Sequence, residues 1–492
     1  METGTRDDAA GRPARIAVVG GGITGLAAAL RLRDRAPDGS TITVYEQSGS
    51  LGGKLRTGSV AGAPVEFGAE AFLTRDPAGG ESAAVALARR LGLGEDLVHP
   101  ATGQAAIALR GRLLPVPGGT LVGVPGDLEK VSALAQPAAD RDRDGGGPLL
   151  GPDEDVAVGE LVRRRLGDEV VDRLVDPMLG GVYAGRADSL SLATTMPGLA
   201  RTARIEGTLT GAVRAALAAS PRTPGRPVFA TVEGGLGRLV TAAAEHLVAP
   251  VGAGSGTAVG GVQIRLGATV RELAPTPTGW RLVIGPTRDP EQVEADAVVL
   301  ALPARPAARL LAGVDVGVGA LVGRLDYASV ALVTLVVPAA TLPDLSGFLV
   351  PATEGTLTKA ATFFSTKWAH QRRSDGLALL RASVGRYGEE HLLQREDAEL
   401  VAAVHGELGR LLPGGALPAP VASHVQRWGG ALPQYQPGHL ERVAAARNTL
   451  RTSHPTLALA GAGYDGVGMP ICVRSGETAA EEIVKALGGA TG

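Results

Sequence analysis

The sequence RIAVVGGGITGLAAALRLRDRAPDGSTITVYE, residues Arg15–Glu46, carries the strongest structural signal in the chain. It consists of an apolar strand, a glycine turn, an Ala/Leu-rich helix and a second strand that ends in an acid. Gly20, Gly22 and Gly25 have the G-x-G-x-x-G spacing, which allows a tight turn, close approach of a pyrophosphate and close helix–strand packing. Glu46 follows at the distance expected of an acid that binds a ribose. The stretch therefore predicts a Rossmann-type dinucleotide-binding domain.

The composition limits the classes of protein to consider. With 492 residues, the chain is too long for one compact core, so we expect two or three domains. The net charge of −2 provides no basic surface for nucleic acid. The single cysteine, Cys472, excludes an intrachain disulfide, and the eight histidines show no metal-ligand spacing. We expect a cytoplasmic protein without a metal ion and without a nucleic-acid partner.

Neither the amino terminus nor any apolar stretch predicts a membrane-spanning segment. Residues 1–13 lack the apolar core of a secretory signal, and we interpret them as a disordered leader. The longest apolar stretch, Tyr327–Pro343, is shorter than the roughly 20 residues of a spanning helix and is interrupted by Pro338. It predicts a buried strand instead. Peripheral contact with a membrane surface stays open.

The order of elements predicts domains built from separated pieces of chain. Gln263–Arg271 and Trp280–Ile284 alternate like antiparallel strands, and a C-terminal helix is expected to begin at Ser475 as its N-cap. The assignments are residues 13–75, 226–303 and 425–492 for the nucleotide domain, 76–115 and 304–424 for a substrate-binding domain, and 116–225 for a mainly helical domain. Residues 136–155 and Val248–Gly261 are predicted inserts, the first of them flexible, because their composition offers little to bury.

Further motifs go beyond what a generic nucleotide-binding fold needs. They are Gly52-Gly53-Lys54, the segment from Phe67 to Leu73, the segment from Pro177 to Gly185 with Ser189 to Leu192, Arg427-Trp428 with Leu432 to Tyr435 and Gly438-His439, and the segment from Gly463 to Pro470. With these motifs the chain resembles the flavin-dependent coproporphyrinogen/protoporphyrinogen oxidases, which belong to the wider amine-oxidase-like group of flavoproteins. The resemblance spans most of the chain.

The resemblance implies a fold and a set of cofactor contacts. The fold is α/β and PHBH/amine-oxidase-like, with a Rossmann-type FAD-binding domain, a mixed-sheet substrate domain and a mainly helical third domain. The implied FAD contacts are Gly20, Gly21, Gly22, Ile23, Thr24, Gly25, Glu46 and Gln47 for the ADP half, Lys54 and the backbone of Gly68, Ala69, Glu70 and Ala71 along the diphosphate and ribityl chain, Val270 at the adenine, and Trp428, Val467, Gly468 and Met469 beside the flavin.

The activity implied by the resemblance is oxidation of coproporphyrinogen III to coproporphyrin III in haem biosynthesis. FAD would pass the electrons to O2 in three two-electron steps and release H2O2, and the protein would mainly position a large flat ring, so no acid–base pair is named. Four propionates call for cations at the pocket mouth, where Arg75 and Lys359 are the candidates. Tyr183 would line the cavity. Relatives often have a lysine where this chain has Asp76.

Alternative functions stay open from the sequence. Protoporphyrinogen IX is the alternative substrate, although the region around Tyr183 resembles the soluble Gram-positive-type enzymes that act on coproporphyrinogen. More distant alternatives are an FAD amine oxidase, a carotenoid desaturase, or a flavin-binding protein without turnover. A transient contact with a ferrochelatase would follow from pathway logic alone.

Overall fold

The computed structural model describes residues 12–76, 79–219, 225–249, 261–338 and 342–489. The strands, in chain order, are β1 (Arg15–Val19), β2 (Thr41–Tyr45), β3 (Thr57–Val60), β4 (Ala63–Glu66), β5 (Phe72–Leu73), β6 (Leu97–Val98), β7 (Ala105–Leu109), β8 (Arg112–Pro115), β9 (Thr120–Leu121), β10 (Val124–Pro125), β11 (Phe229–Val232), β12 (Gly261–Arg265), β13 (Val270–Thr276), β14 (Gly279–Ile284), β15 (Glu291–Ala295), β16 (Ala297–Leu300), β17 (Asp326–Pro338), β18 (Gly347–Leu349), β19 (Thr358–Phe363), β20 (Leu377–Val384), β21 (Ala422–Gln434) and β22 (Leu457–Leu459).

The helices complete the set of regular elements. They are α1 (Ile23–Arg35), α2 (Ala83–Arg90), α3 (Val158–Leu166), α4 (Asp168–Val170), α5 (Asp176–Tyr183), α6 (Leu192–Thr195), α7 (Pro197–Ala203), α8 (Leu209–Ala219), α9 (Gly237–Val248), α10 (Ala304–Leu311), α11 (Val316–Gly323), α12 (Phe364–Lys367), α13 (Asp397–Leu411), α14 (His439–Ser453), α15 (Ala462–Asp465) and α16 (Met469–Gly489). Most of the predicted leader and most of the predicted insert Val248–Gly261 lie outside the described residues.

The nucleotide domain is built on a parallel sheet with the order β12-β2-β1-β16-β22. Helices α1 and α16 pack against this sheet, and the antiparallel β13-β14-β15 sheet contributes to a second core that includes β16. The predicted Rossmann-type architecture is confirmed. The predicted antiparallel strand Gln263–Arg271 is divided between two strands: residues 263–265 belong to β12, which pairs in parallel with β2, whereas residues 270–271 begin β13, which is antiparallel to β14. An edge strand that is half exposed alternates in the same way as an antiparallel one, so its sequence does not reveal the direction of pairing.

A second, mostly antiparallel sheet has the order β21-β17-β20-β19-β18-β7-β8, and β7, β8 and β17 to β20 come from the residues predicted for a substrate-binding domain. The predicted buried strand at Tyr327 is confirmed, since it lies in β17. Strand β21 pairs with β17 along most of its length, so residues 425–434 belong to this sheet and not to the nucleotide domain as the sequence predicted. Among the described residues, no helix has the length and apolar character needed to cross a bilayer.

The mainly helical domain has its own core, formed by α3 to α8 and the π-helical turn Val171–Val175. Residues 136–155, the predicted flexible insert, pack against it: Leu149 and Leu150 are buried. Asp142 accepts hydrogen bonds from Leu209 N and Thr210 N at 2.7 and 3.0 Å, at the start of α8. The charged composition suggested that the segment has little to hold it in place. The Asp142 carboxylate is not a solvated charge, however, because it caps the N-terminus of α8, where acidic side chains are favoured. The mobility of the segment stays a prediction.

The C-terminal helix begins earlier than predicted. Helix α16 starts at Met469, and Ser475 lies inside it, where the Ser475 hydroxyl accepts a hydrogen bond from Gly461 N at 2.8 Å. The prediction of Ser475 as an N-cap is therefore wrong, because its hydroxyl binds a distant loop and not its own helix end. The next residue, Gly476, lets α16 lie directly on α1, since a Cβ there would be 2.1 Å from Thr24 O.

Gly25→Ala should destabilise the nucleotide domain. A Cβ at Gly25 would lie 1.8 Å from Gly20 O, and this neighbour is backbone in the tight turn, so helix and strand must separate. We expect a loss on the order of 3 kcal/mol in the free energy of unfolding, measured by urea unfolding of the flavin-free protein. Gly49→Ala is the matched control, because a Cβ there meets nothing within 4 Å. Equal unfolding midpoints for the two variants would contradict this account.

Candidate functional site

The first part of the site is the glycine turn at the carboxyl ends of β1 and β2. Gly20 N donates to Tyr45 O at 2.8 Å, and Gly21 N donates to a carboxylate oxygen of Glu46 at 2.7 Å. Glu46 is nearly buried and is also held by Ser48 N at 2.8 Å. A Cβ at Gly22 would meet no atom within 4 Å, so the backbone at the start of α1 faces open space. Exposed N–H groups at a helix N-terminus suit a phosphate, and the turn therefore fits a diphosphate.

The structure brings Val270 to the same end of the sheet as Glu46. Ala268 N donates to Glu46 O at 2.8 Å, and Gly267 N donates to Ser48 O at 2.9 Å. Strand β13 begins two residues later, at Val270. Gln47 is exposed beside these contacts. The positions expected for the ribose and the adenine are thus adjacent.

The segment after β4 lies against Lys54 and Trp428. Ala69 N donates to Lys54 O at 3.0 Å, and a Cβ at Gly68 would be 2.0 Å from that same oxygen and 3.4 Å from the Trp428 ring. The Trp428 indole donates to Phe67 O at 2.6 Å. The Lys54 ammonium is half-buried and has no ion-pair partner among the described residues, and burial lowers its pKa. An unpaired cation in this position fits the negative charge of a diphosphate.

The carboxylate of Glu70 is engaged in two ion pairs within the protein. It pairs with Lys367 and, at 2.6 Å, with Arg381, whose guanidinium also donates to Glu66 O and Gly68 O at 2.7 and 3.0 Å. Burial alone would raise the pKa of Glu70, but the two cations outweigh it and hold that pKa below its usual value. Sequence reasoning missed Arg381 and Lys367, which lie 311 and 297 residues from Glu70 in the chain and belong to no local motif.

The loop that contains Val467 and Gly468 lies between α15 and α16, with Met469 buried at the start of α16. Asp465 in α15 pairs with Arg447 through two contacts of 2.7 Å and accepts from the Ser475 hydroxyl. The loop lies near the start of α1, because the Cys472 thiol in the first turn of α16 donates to Gly466 O at 3.7 Å and Gly476 of the same helix packs on Thr24. Burial raises the pKa of Cys472 to about 11. Cofactor candidates from three separated parts of the chain therefore meet.

The substrate candidates occupy different environments. Tyr183 ends α5, is half-buried, and follows Val182, whose exposed fraction is 49%. Burial raises the pKa of Tyr183 to about 12, so its hydroxyl keeps its proton. Arg75 is half-buried and has no ion-pair partner among the described residues, whereas its neighbour Asp76 pairs with Arg474 at 3.4 Å.

Lys359 was predicted at the pocket mouth, but the structure buries it to 5% exposure. It lies at a bulge between β19 and β20, and its ammonium donates to Gly180 O at 3.2 Å. Bulges re-aim side chains, which explains why this cation points under α5 and not into solvent. Burial, with the Arg386 and Arg381 guanidiniums, lowers the pKa of Lys359 to about 7. No carboxylate pairs with it among the described residues.

Comparison with known proteins identifies the family. The model of the flavin containing amine oxidoreductases matches residues 23–484. The chain belongs to this family. It is therefore an FAD-dependent oxidase, and the predicted cofactor is confirmed.

Two curated relatives are named coproporphyrinogen III oxidase. The protein of Mycobacterium tuberculosis is 38% identical, with 96% of this chain and 98% of the relative covered. That of Bacillus subtilis is 29% identical, with 95% and 97% covered. A solved structure from Exiguobacterium sp., provisionally named a protoporphyrinogen oxidase, matches with a TM-score of 0.79 and 31% identity and covers 96% of this chain and 99% of that one. The predicted family membership is confirmed.

Gly22→Ala should weaken FAD binding while leaving the fold intact. The new methyl group would point into the open space at the start of α1, where the diphosphate is expected, and would meet no protein atom. We expect FAD affinity to fall at least tenfold, which corresponds to ~1.4 kcal/mol. Equilibrium dialysis of the flavin-free protein measures the affinity, and urea unfolding of the same sample verifies the fold. If the variant binds FAD with wild-type affinity, the diphosphate does not lie at the start of α1.

Proposed function

We propose that this protein oxidises coproporphyrinogen III to coproporphyrin III, with O2 as the electron acceptor and H2O2 as the second product. The observation that carries the proposal is the match over nearly the whole chain to relatives named for this reaction, at up to 38% identity among those compared. The balance is three O2 consumed and three H2O2 released for each porphyrin formed. In this proposal the cofactor candidates form one wall of the active site, and residues 180–185 around Tyr183, called the Tyr183 strip, form the other.

The proposed roles of the residues follow from their positions. The turn from Gly20 to Gly25 and Glu46 hold the ADP half, Lys54 compensates the diphosphate, and Trp428 with the loop Val467–Met469 borders the flavin ring. When bound, FAD supplies the two-electron oxidation. The protein's contribution is to orient a flat macrocycle and exclude water. We assign no side chain as a general acid or base.

An arginine without a carboxylate partner supports a substrate rich in carboxylates. Arg75 is half-buried and has no ion pair among the described residues, whereas its neighbour Asp76 pairs with Arg474. A propionate would supply the missing counter-charge, and fork-shaped guanidinium groups match carboxylates well. Protoporphyrinogen IX, with two propionates, is the second candidate substrate, favoured by the name of the Exiguobacterium neighbour.

The direct test is anaerobic mixing of the purified yellow protein with coproporphyrinogen III or protoporphyrinogen IX, followed by air. Porphyrin fluorescence and peroxide should appear faster with the four-propionate substrate. A faster rate with protoporphyrinogen IX would replace the proposed substrate with the second candidate. If neither porphyrin fluorescence nor peroxide appears with either compound, the proposed activity is wrong, and the protein binds flavin without oxidising these substrates.

Arg75→Ala should raise KM for coproporphyrinogen III more than it lowers kcat. The guanidinium would contact a propionate far from the reacting carbon, so its loss weakens binding without changing the chemistry. We expect KM to increase roughly tenfold, which corresponds to the free energy of about one hydrogen bond to a charged group. Arg324→Ala, at an exposed arginine after α11, serves as the control. A fall in kcat alone would exclude Arg75 as a carboxylate anchor.

Lys359→Met should stabilise the protein, because it removes a buried ammonium that has no counter-charge. A lysine whose pKa is lowered by folding costs stability below about pH 7, and the cost disappears as the pH rises towards about 10.4. We expect a gain on the order of a few kcal/mol in the free energy of unfolding at pH 6 and a smaller gain at pH 9, measured with urea. Lys367→Met is the matched control. It should lower the free energy of unfolding, because that lysine is paired with Glu70. A destabilised Lys359→Met would show that the ammonium is a structural group.

A further inference from the structure

The segment Gln434–His439 has no task in the proposed reaction, although its sequence was among the distinctive motifs. It leads from the end of β21 to the start of α14. Tyr435 is 1% exposed, and the segment is also fixed at Gly438, whose N–H donates to Asp155 at 3.1 Å. Such a segment contacts both walls of the proposed active site.

On the side of the helical domain, three contacts hold the segment. Tyr435 O accepts a hydrogen bond from Ser191 N at 2.7 Å. The Gln434 side-chain amide donates to Tyr183 O at 2.8 Å. The rings of Tyr435 and Tyr183 meet edge to face, with centroids 5.7 Å apart and an angle of 75° between their planes. The position of Tyr183 is thus tied to Gln434 and Tyr435.

On the other side, Tyr435 contacts α15, the short helix that precedes the loop containing Val467 and Gly468. Its hydroxyl donates to Ala462 O, the first residue of α15. Burial raises the pKa of Tyr435 well above its usual value, so the hydroxyl remains a donor. The His439 ring packs on Tyr435 at 4.7 Å, and burial with the Arg442 charge lowers the pKa of His439 to about 4, so that this neighbour is neutral near pH 7.

We propose that Tyr435, assisted by Gln434, is a positioning residue that sets the distance between the Tyr183 strip and the segment Ala462–Met469, which comprises α15 and the loop up to the start of α16. The inference rests on the proposed function, in which the substrate lies against the Tyr183 strip and the flavin lies against the segment Ala462–Met469. Transfer from a bridge carbon requires the two rings at a fixed separation, and a misplacement of about 1 Å costs on the order of a hundredfold in rate. A hydrogen bond from a rigid, fully packed ring fixes that separation better than contact between apolar surfaces.

The first measurement is amide hydrogen exchange on the flavin-free protein. Tyr435→Phe keeps the ring and removes only the link to Ala462, so exchange should increase at least fivefold in residues 461–468 and in residues 180–186. Thr456→Val is the matched control, because it removes a similar internal hydrogen bond, from the Trp280 indole at 3.0 Å, in the nucleotide domain. It should change neither region. Wild-type exchange in both regions of Tyr435→Phe would overturn the proposal.

The second measurement separates positioning from general stability. With FAD bound, Tyr435→Phe should lower the rate of flavin reduction by saturating coproporphyrinogen at least tenfold, with a smaller change in KM and an unchanged rate of reduction by dithionite. Equal loss of both reduction rates, or no loss, would refute the positioning role.

Gln434→Met provides an independent variant should Tyr435→Phe not fold. It removes the hydrogen bond to Tyr183 O, so exchange should increase in residues 180–186 but not in 461–468. Unchanged exchange in residues 180–186 would contradict the proposal. If the wild-type protein oxidises no porphyrinogen, the proposed function fails, whereas the exchange experiment still reports whether the segment joins the two walls.

Discussion

Two contacts that leave no room for a Cβ atom fix helix α1, and the cofactor site depends on them. Gly25 lies against Gly20 O within the glycine turn, and Gly476 of α16 lies against Thr24 O. The first contact aims the N-terminus of α1 at the end of β1. The second brings the start of α16 to the same point, although the two segments are separated by most of the chain. Glycine is required at both because a backbone oxygen cannot move aside as a side chain can.

A buried ion cluster joins the nucleotide domain to the substrate sheet. Arg381 of β20 binds Glu70 and two backbone carbonyl groups before it, and Lys367 pairs with the same carboxylate. Burying charges is costly, and such a cluster is tolerated only when the donors and acceptors are matched, whereas loss of one partner costs about 3–5 kcal/mol. The cluster therefore holds the segment from Glu66 to Glu70 beside Lys54, whose carbonyl oxygen accepts a hydrogen bond from Ala69 N.

Lys359 and Arg75 lack a carboxylate partner among the described residues, and they lie in different parts of the fold. Lys359 is buried under α5, where burial and two guanidinium groups lower its pKa, whereas Arg75 follows β5, whose Phe72 belongs to the core of the nucleotide-binding sheet. A buried cation without a counter-charge is costly, and such costs are common at sites shaped for function. Tyr435 connects α5 to α15 through its contacts with Tyr183 and Ala462.

Local sequence was sufficient for the nucleotide turn, for helix α1, for the strand in β17 and for the helical character of residues 158–219, because turn chemistry and periodicity act within a few residues. It also marked Glu46, Lys54 and Trp428 through a recognisable family pattern. The pairing of β21 with β17, the parallel direction of β12 and the burial of Lys359 came only with the three-dimensional fold. So did the clamp that Arg381 forms on a segment more than 300 residues away. Those features depend on which distant parts of the chain come into contact, and the residues next to each position in the sequence do not determine those contacts.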